Sequence, residues 1–201
     1  FKPVVSIYST FLQRSYDQVV HDVCIQNLPV VFCLDRGGLV GEDGPTHHGA
    51  FDLSYLRHIP NMKIMAPADE AELRAMLVTA LSMNCPVAIR YPRGCGQGLA
   101  LEDDPQPIPV GRGTILQKGA DAMVVALGSR VRPALDAVRE LTESTGLRVG
   151  VLNARWVKPL PEEDLRVVAA THRRILVVEE NVLAGGFGSA VLEFLSDHDL
   201  M

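Results

Sequence analysis

The feature that most constrains the fold of this chain is the alternation of short apolar runs with amphipathic helical patterns. A surface helix repeats its apolar positions about every 3.6 residues, whereas a buried strand reads as a short continuous apolar run. Strands that alternate with helices lie parallel in a sheet whose faces the helices cover. We therefore predict the α/β class, with two domains that are each a mostly parallel sheet flanked by helices.

The predicted elements form two groups, separated by a weakly periodic stretch rich in proline and glycine. The first group contains strands at 4–8, 29–34, 63–66 and 86–91, and helices at 9–23, 52–56 and 67–81. The second group contains strands at 122–127, 147–152 and 174–179, and helices at 131–144, 162–170 and 186–196. We predict one domain at 1–100, a linker at 101–111 and a second domain at 112–201.

A long loop, DRGGLVGEDGPTHHGAFD at 35–52, follows the predicted strand at 29–34. A loop of this length inside a compact domain is uncommon unless it is functional or disordered, and strong strand and helix patterns flank this one. In an open α/β sheet, ligands bind outside the carboxyl ends of the strands, where this loop begins. We therefore predict that the loop forms part of a binding or catalytic site.

Three side chains of the loop carry the chemistry of that prediction. Asp43 and His47 are a carboxylate and an imidazole four residues apart, and both can contact substrate hydroxyl or carbonyl oxygens. Arg36 offers a forked donor suited to phosphate or carboxylate. The alternative is a long surface turn in which Asp43 and His47 bond only to backbone.

Residues near two other predicted strand ends are candidates for the same site. Arg90 and Arg93 flank Tyr91-Pro92 at the end of the strand at 86–91. If they converge with Arg36 without an acidic partner, the three arginines would suit an anionic substrate. The alternative is that they are separate surface arginines that pair with Asp103 or Glu102. Tyr8, Phe11 and Arg14 lie close to the end of the first strand, although the apolar pattern alone predicts a core position for Phe11.

Other features point to structural roles. His48 and His58 are predicted to be structural or solvated, and the turn GGFGS at 185–189 lacks the G-x-G-x-x-G spacing of a dinucleotide site. Tight helix packing is the favoured interpretation of that turn and of Gly128. The four cysteines have no zinc-ligand spacing and are predicted to be free thiols, two of them (Cys24 and Cys33) in a helix and a strand.

Charge and hydropathy exclude some classes of partner. Nineteen basic and 24 acidic residues give a formal net charge of −5, and no basic cluster indicates nucleic-acid binding. No apolar run approaches the length of a membrane span, and no signal-peptide pattern is present. We therefore expect neither nucleic acid nor a membrane as partner, and a cytoplasmic location, or a plastid location if the source is a plant or an alga.

Several strings in the sequence identify a family. YSTFLQR at 8–14, DRGGLVGEDGPTHHGAFDLSYLR at 35–57 and RYPRG at 90–94 closely resemble the 1-deoxy-D-xylulose-5-phosphate synthases, a family of transketolase-like thiamine-diphosphate enzymes. VKPL at 157–160 and VVEENVLAGGFGSAV at 177–191 resemble the third domain of that family. GEDGPTH alone is shared with transketolases more broadly. The resemblance covers essentially the whole chain.

The resemblance implies a transferase that condenses pyruvate with glyceraldehyde 3-phosphate, releasing carbon dioxide, in the biosynthesis of isoprenoid precursors, thiamine and pyridoxal. It implies that Phe11 stacks on the aminopyrimidine of thiamine diphosphate, with Arg14 nearby. The triose phosphate would be held by Tyr8, Arg36, Arg90 and Arg93. Asp43 and His47 would contact substrate oxygens and the cofactor-bound intermediate, so that the catalytic residues would be His47, Asp43 and Arg14.

The resemblance also implies parts that lie outside these 201 residues. A glutamate that activates the aminopyrimidine, and an amino-terminal domain with the diphosphate and Mg²⁺ ligands, have no counterpart in the sequence. The first domain would then be a partial pyrimidine-binding domain, and the second a transketolase-type carboxy-terminal domain truncated at its end. We expect a homodimer when intact and no activity from this chain alone.

Two other functions stay open at this point. One is the separate carboxy-terminal subunit of a split transketolase or the beta subunit of a 2-oxoacid dehydrogenase. The other is a non-catalytic module for dimerisation or regulation, which would not require the constellation of Asp43, His47 and the three arginines.

Overall fold

The strands of this protein form two sheets, as the alternating pattern predicts. In the computed structural model, which describes all 201 residues, the strands are β1 (Val4–Tyr8), β2 (Val31–Asp35), β3 (Lys63–Met65), β4 (Val87–Arg90), β5 (Thr114–Gln117), β6 (Ala122–Ala126), β7 (Val149–Asn153), β8 (Trp156–Lys158) and β9 (Ile175–Val178). The first sheet has the order β1-β2-β4-β3-β8 and the second the order β5-β7-β6-β9. Only β5 and β8 pair antiparallel with their neighbours, so the α/β class with mostly parallel sheets is confirmed.

The helices cover the faces of these sheets. They are α1 (Ser9–Leu12), α2 (Tyr16–Gln18), α3 (Asp52–Leu56), α4 (Glu70–Ser82), α5 (Val131–Thr145), α6 (Glu162–Thr171) and α7 (Phe187–Asp197). Short 3₁₀ turns lie at Gln13–Ser15, Gly41–Asp43, Pro45–His47 and Gly128–Arg130. None of these helices combines the length and the apolar character that crossing a bilayer requires.

The segment predicted as one helix at 9–23 is irregular. After α1 it tightens into a 3₁₀ turn, and Ser15 leaves helical geometry with φ −111° before α2 begins. From Val19 to Cys24 it widens into a π-helix, in which the amide of Ile25 donates to Val20 and that of Leu28 donates to Val23. The apolar periodicity predicts the helix correctly but carries no signal for these changes in its width.

One hydrophobic core runs through both halves of the chain. Leu34 and Leu53 from the first half are fully buried in the same cluster as Leu152 and Phe187 from the second. The short strand β8, which the sequence does not predict, pairs with β3 at the edge of the first sheet, and its Trp156 is fully buried. The two halves are therefore packed as one body rather than joined only through the linker.

A polar connection between the halves starts at the amino-terminal end of α4. Asp69 caps this helix by accepting from the amide of Glu72 at 2.8 Å, and the Glu72 carboxylate reaches back to the amide of Ala68 at 2.7 Å. The same buried carboxylate accepts from Asn153 Nδ2 at 3.0 Å and Arg155 Nε at 2.5 Å. Glu72, in the first turn of a first-half helix, thus also anchors the end of β7 and the residues that follow it.

Glu70 holds the stretch that follows β4. Its carboxylate accepts from the amides of Gln97 and Leu99, both at 2.9 Å. These bonds stabilise the ionised form and lower the pKa of Glu70 to about 2, with the amide of Gln97 making the largest contribution. The exposed segment around Gln97 and Leu99, which has no helix or strand, is therefore bound to the start of α4.

We expect this anchor to weaken only at low pH. A depressed folded-state pKa adds stability that is fully present above the unfolded pKa of about 4.5 and is lost as the pH falls towards about 2. An NMR titration of the Glu70 carboxyl should give a midpoint well below 4, and Glu70→Gln should remove this part of the acid dependence of unfolding. A midpoint near 4.5 would show that the bonds to Gln97 and Leu99 do not hold in solution.

Candidate active site

The predicted site lies at the carboxyl edge of the first sheet, where β1, β2 and β4 end side by side. Tyr8 is opposite Asp35, and Leu34 is opposite Arg90, in parallel register. The prediction that these strands are parallel neighbours is therefore confirmed. Parallel register places every residue that follows these strand ends on one side of the sheet.

The loop that follows β2 is closed by its own backbone. Gly38 and Gly49 exchange two hydrogen bonds of 2.8 and 2.9 Å, and the amide of Gly37 donates to Tyr91 O at 2.9 Å. His48 accepts from the amide of Val40 at 3.2 Å, which confirms its structural role. The loop therefore has a defined conformation, and the two 3₁₀ turns within it carry Asp43 and His47.

Asp43 joins two of the three predicted arginines. Its Oδ2 accepts from Arg36 Nε at 2.7 Å and lies 3.5 Å from Arg93 Nε. Arg36 is also bound by Asp35, whose two oxygens lie 3.0 and 2.8 Å from Nη1. The hydrogen bond from Arg36 lowers the pKa of Asp43, and the same bond raises the pKa of Arg36. The pair is therefore ionised across the neutral range.

The expectation that these arginines lack acidic partners is wrong, and so is the alternative pairing with Asp103 or Glu102. Arg90 is only 5% exposed and donates from Nε to Asp52 Oδ2 at 3.1 Å. Its Nη2 donates to the carbonyl oxygens of Gly49, at 2.9 Å, and Glu180. A buried guanidinium requires such partners, because an unpaired charge is costly away from water. The structure thus brings Arg36 and Arg93 together and places Arg90 behind them.

The two glycines after Arg36 make room for charged side chains. A Cβ on Gly37 would lie 2.5 Å from Nε of Arg90, and one on Gly38 would lie 2.7 Å from Oε2 of Glu180. Gly38 also has φ +89°, which a residue with a side chain rarely adopts. These glycines therefore serve close packing around the site rather than direct approach to a ligand.

An aromatic wall lies beside the arginines. Tyr8 stacks on Phe11 with ring centroids 5.1 Å apart, and His47 meets the Phe11 ring edge-on at 5.4 Å. The guanidinium carbon of Arg36 lies 3.7 Å from the centre of the Tyr8 ring. Phe11 is 40% exposed, so the core position that its pattern predicts is wrong. A large exposed aromatic face next to an imidazole is available for stacking on a flat ring.

The aromatic wall opens onto a concavity of about 410 Å³. Arg14 lines it, is exposed, and makes no ion pair or side-chain hydrogen bond within the chain. His47 Nδ1 contacts Thr46 Oγ1 at 3.1 Å, which leaves Nε2 without a partner. The predicted residues Phe11, Arg14 and His47 thus meet at one concavity, with unused donors and an unused imidazole nitrogen.

Asp52 has a role that the sequence prediction missed. The predicted helix at 52–56 is α3, which begins at Asp52, and its capping position is Phe51. One carboxylate oxygen accepts from the amide of Leu53 at 2.9 Å, and the other pairs with Arg90. Its fully buried carboxylate is therefore the counter-charge for Arg90. The only sequence signal was its place at the end of the loop string.

The second half of the chain also contributes to the site, through the segment 179–185. Glu180 accepts from the amide of Leu39 at 3.0 Å, and the amide of Val182 donates to Ala50 O at 2.9 Å. Arg57 adds a bidentate ion pair with Glu193, both bonds being 2.7 Å. No pattern near the loop string signals these contacts, because their partners are more than 120 residues away.

The glycine-rich turn in this segment is not an anion site. The amides of Phe187 and Gly188, at the start of α7, donate to the two carboxylate oxygens of Glu179 at 2.8 and 2.7 Å. A carboxylate of the chain itself therefore occupies the position that a phosphate would take. The structural interpretation of this turn is confirmed.

The chain also has no cluster of three or more His, Cys, Asp or Glu side chains arranged to hold a metal ion, and all four cysteines are unpaired.

Comparison with known families matches both halves of the chain. The family described as "Transketolase, pyrimidine binding domain" matches residues 1–97, and "Transketolase, C-terminal domain" matches residues 111–201.

Curated relatives match over the whole chain. It is 62% identical over 201 residues to a 1-deoxy-D-xylulose-5-phosphate synthase of Nitratidesulfovibrio vulgaris and 64% identical to one of Oleidesulfovibrio alaskensis. It is 60% identical over 200 residues to a 1-deoxy-D-xylulose-5-phosphate synthase 1 of Geobacter sulfurreducens. All of this chain is covered in each case, but it spans only 31–32% of the length of these relatives.

Solved structures share the fold. A structure described as "Split gene transketolase, inactive beta4 tetramer" superposes with a TM-score of 0.86 and 32% identity, covering 97% of this chain and 63% of that one. A transketolase from Pichia stipitis superposes with a TM-score of 0.73 and 23% identity, covering 98% of this chain and 32% of that one. The latter likeness concerns the fold alone.

Proposed function

This chain belongs to the transketolase family, and from that premise we propose that it forms about a third of a thiamine-diphosphate-dependent 1-deoxy-D-xylulose-5-phosphate synthase. The enzyme would condense pyruvate with glyceraldehyde 3-phosphate and release carbon dioxide. Identity of 60% or more over the whole chain to synthases of three bacteria supports this choice within the family. The proposed division is a partial pyrimidine-binding domain at 1–100, a linker at 101–111 and a carboxy-terminal domain at 112–201.

The observation that carries the proposal is the convergence of Phe11, Arg14 and His47 on one concavity, beside the pair of Arg36 and Asp43. These residues come from the ends of different strands and from the loop, and a purely structural module needs no such arrangement. An exposed aromatic ring, a free guanidinium and an imidazole with one unused nitrogen are suited to holding a charged aromatic cofactor and a polar substrate.

The residues fit the pyrimidine part of thiamine diphosphate. The exposed face of Phe11 would stack on the ring, and Arg14, which has no partner within the chain, would lie next to it. When bound, the cofactor supplies the electron sink that the decarboxylation of a 2-oxoacid needs. The chain has no metal-ligand cluster, so we propose that Mg²⁺ and the diphosphate are held by residues outside these 201.

The phosphate of the triose phosphate would bind at Arg36 and Arg93. Arg36 uses Nε and Nη1 within the chain, and its Nη2 makes no hydrogen bond there. Arg93 is 41% exposed and has only long ion pairs, of 3.5 and 3.9 Å. The Tyr8 hydroxyl also makes no bond within the chain, and the Tyr8 ring lies beneath the Arg36 guanidinium. Arg90, which is buried, would act mainly by holding the loop, with Nη1 as its remaining donor.

His47 and Asp43 would handle substrate oxygens and protons. In the overall reaction, the bond between the carboxylate and carbonyl carbons of pyruvate breaks. A new carbon–carbon bond then forms to the aldehyde carbon of the triose phosphate, and the aldehyde oxygen takes a proton. His47 Nε2, free of partners, can give that proton. The ionised Asp43 orients Arg36 for the phosphate.

The remaining features of the proposal follow from the family. They are a homodimeric enzyme, a cytoplasmic location (plastid in a plant or an alga), and a role in the biosynthesis of isoprenoid precursors, thiamine and pyridoxal. Because the chain covers under a third of its curated relatives, we also propose that the 201 residues alone are inactive.

The first test is carbon dioxide release from pyruvate, measured with thiamine diphosphate, Mg²⁺ and glyceraldehyde 3-phosphate on samples of known intact mass. We expect release that depends on the triose phosphate from the full-length protein, and none from the chain of 21.9 kDa. Omission of thiamine diphosphate is the control. If the full-length protein releases no carbon dioxide, the proposed synthase function is wrong. If the 21.9 kDa chain is active by itself, the catalytic residues have been assigned incorrectly.

A second candidate is the separate carboxy-terminal subunit of a split transketolase. It is favoured by the superposition, with a TM-score of 0.86, on the structure described as a split-gene transketolase. Transfer of a two-carbon unit between sugar phosphates, without carbon dioxide release, would identify this function. The identity to that structure is 32%, about half the identity to the synthases.

A further inference from the structure

We propose that Glu180, in the second half of the chain, is a positioning residue that fixes the conformation of the substrate-binding loop. For its effect on catalysis the inference rests on the proposed function, whereas its effect on the loop does not. Glu180 lies in the segment between β9 and α7, 141 residues from the loop amide that it binds.

Glu180 contacts the loop and the second half at the same time. Its Oε1 accepts from the amide of Leu39 at 3.0 Å, on the loop. Its Oε2 accepts from Ser129 Oγ at 3.0 Å and lies 3.4 Å from Arg130 Nη2, both in the 3₁₀ turn that precedes α5. The side chain is 16% exposed, and its carboxylate is therefore shared between two elements that the sequence separates widely.

The loop is shaped to receive this carboxylate. Gly38 has no side chain at the point where a Cβ would lie 2.6 Å from Cγ and 2.7 Å from Oε2 of Glu180. The backbone carbonyl of Glu180 also accepts from Arg90, whose other bonds reach Gly49 and Asp52. Glu180 therefore holds one side of the Gly38–Gly49 closure directly, through the amide of Leu39, and the other side through Arg90.

The consequence concerns the geometry of Arg36 and Asp43. Arg36 has φ +59°, an unfavourable conformation for a residue with a side chain, and needs a surrounding structure that enforces it. Leu39 is three residues further on, and Asp43 lies four residues beyond Leu39. Loss of the bond to Leu39 would let this part of the loop move, so that Asp43 no longer holds the Arg36 fork in one orientation.

Glu179 provides a matched control. It is the neighbouring residue, has the same side chain, and likewise accepts from backbone amides, but those amides belong to Phe187 and Gly188 of α7. It has no hydrogen bond to the loop. Substitution of Glu179 should therefore affect α7 and leave the loop unchanged.

The first experiment is amide hydrogen exchange on the 201-residue chain, followed at Leu39. Glu180→Ala and Glu180→Asp should each accelerate exchange about tenfold or more, since neither side chain reaches the amide. Glu180→Gln keeps the length and an acceptor oxygen and should retain most of the protection. Glu179→Ala should accelerate exchange at Phe187 and Gly188 only. Unchanged exchange at Leu39 in both Glu180→Ala and Glu180→Asp would overturn the proposal, and Glu180→Asp decides if the alanine variant does not fold.

The second experiment measures steady-state kinetics of the same variants in the full-length protein. Glu180→Ala and Glu180→Asp should raise KM for glyceraldehyde 3-phosphate about tenfold or more, with a smaller change in KM for pyruvate and with Glu180→Gln close to wild type. Equal effects on both substrates would contradict a role specific to this loop. A full-length wild-type protein without synthase activity would refute the proposed function instead. The exchange experiment would still decide whether Glu180 fixes the loop.

Discussion

Replacing Asp52 with alanine is expected to lower the free energy of unfolding by about 3–5 kcal/mol, because it leaves the Arg90 guanidinium buried without a counter-charge. Arg90 is 5% exposed and Asp52 is fully buried, so water cannot replace the lost carboxylate. The substitution also removes the acceptor for the amide of Leu53. Urea denaturation followed by circular dichroism measures the change directly.

Two further variants separate the charge from other effects of that substitution. Asp52→Asn keeps the shape and an acceptor for Leu53, and should therefore lose less stability than Asp52→Ala. Asp17→Ala removes an exposed carboxylate that pairs only with His21, and should change stability by no more than about 0.5 kcal/mol. A loss below about 1 kcal/mol for Asp52→Ala would show that Arg90 finds another partner or reaches water.

Replacing His47 with glutamine is expected to lower kcat of the proposed full-length synthase by about 10²–10⁴-fold, the usual contribution of one positioned acid–base group. His47 Nε2 has no partner within the chain and lies in the concavity beside Phe11. Glutamine keeps polar atoms at this place but cannot give up a proton at neutral pH. Stability should change little, since the ring is only half-buried and packs against the exposed Phe11.

The control for this substitution is His58→Gln. His58 is exposed, its Nε2 contacts only the hydroxyl of Tyr16, at 2.7 Å, and it does not line the concavity. Its loss should leave kcat within about twofold of wild type. If His47→Gln kept more than a tenth of wild-type kcat, proton transfer would not depend on His47, and its role would be limited to contact with the substrate.

Local pattern was enough to predict much of the fold and the place of the site. Periodicity predicted α5 at 131–144, and the structure has Val131–Thr145. It likewise predicted strands that are confirmed within two residues at each end, because burial of one face imposes the repeat directly on the sequence. The parallel arrangement followed from the helical connections, and it placed Tyr8, Arg36 and Arg90 at one edge.

Short pairings with distant partners could not be read in this way. β8 has three residues, and Trp156 is buried only because β3 accepts it as a neighbour. Only two consecutive residues of β8 are apolar, Trp156 and Val157, which is too short a run to distinguish this strand from a loop. The burial of Phe11 could not be predicted either. Its spacing matches a core position, but no element of the folded chain covers it.

The sequence by itself determined most of the elements, the family and the set of chemical groups at the site, since these depend on residue type and on spacing along the chain. Only the tertiary structure decided how the charges are distributed: Arg36 and Arg93 share Asp43, whereas Arg90 is neutralised by Asp52 and held by the carbonyl of Glu180. An ion pair forms between groups that folding brings within a few ångströms, irrespective of their separation in sequence. Which arginine remains free for a substrate is therefore a property of the packed structure.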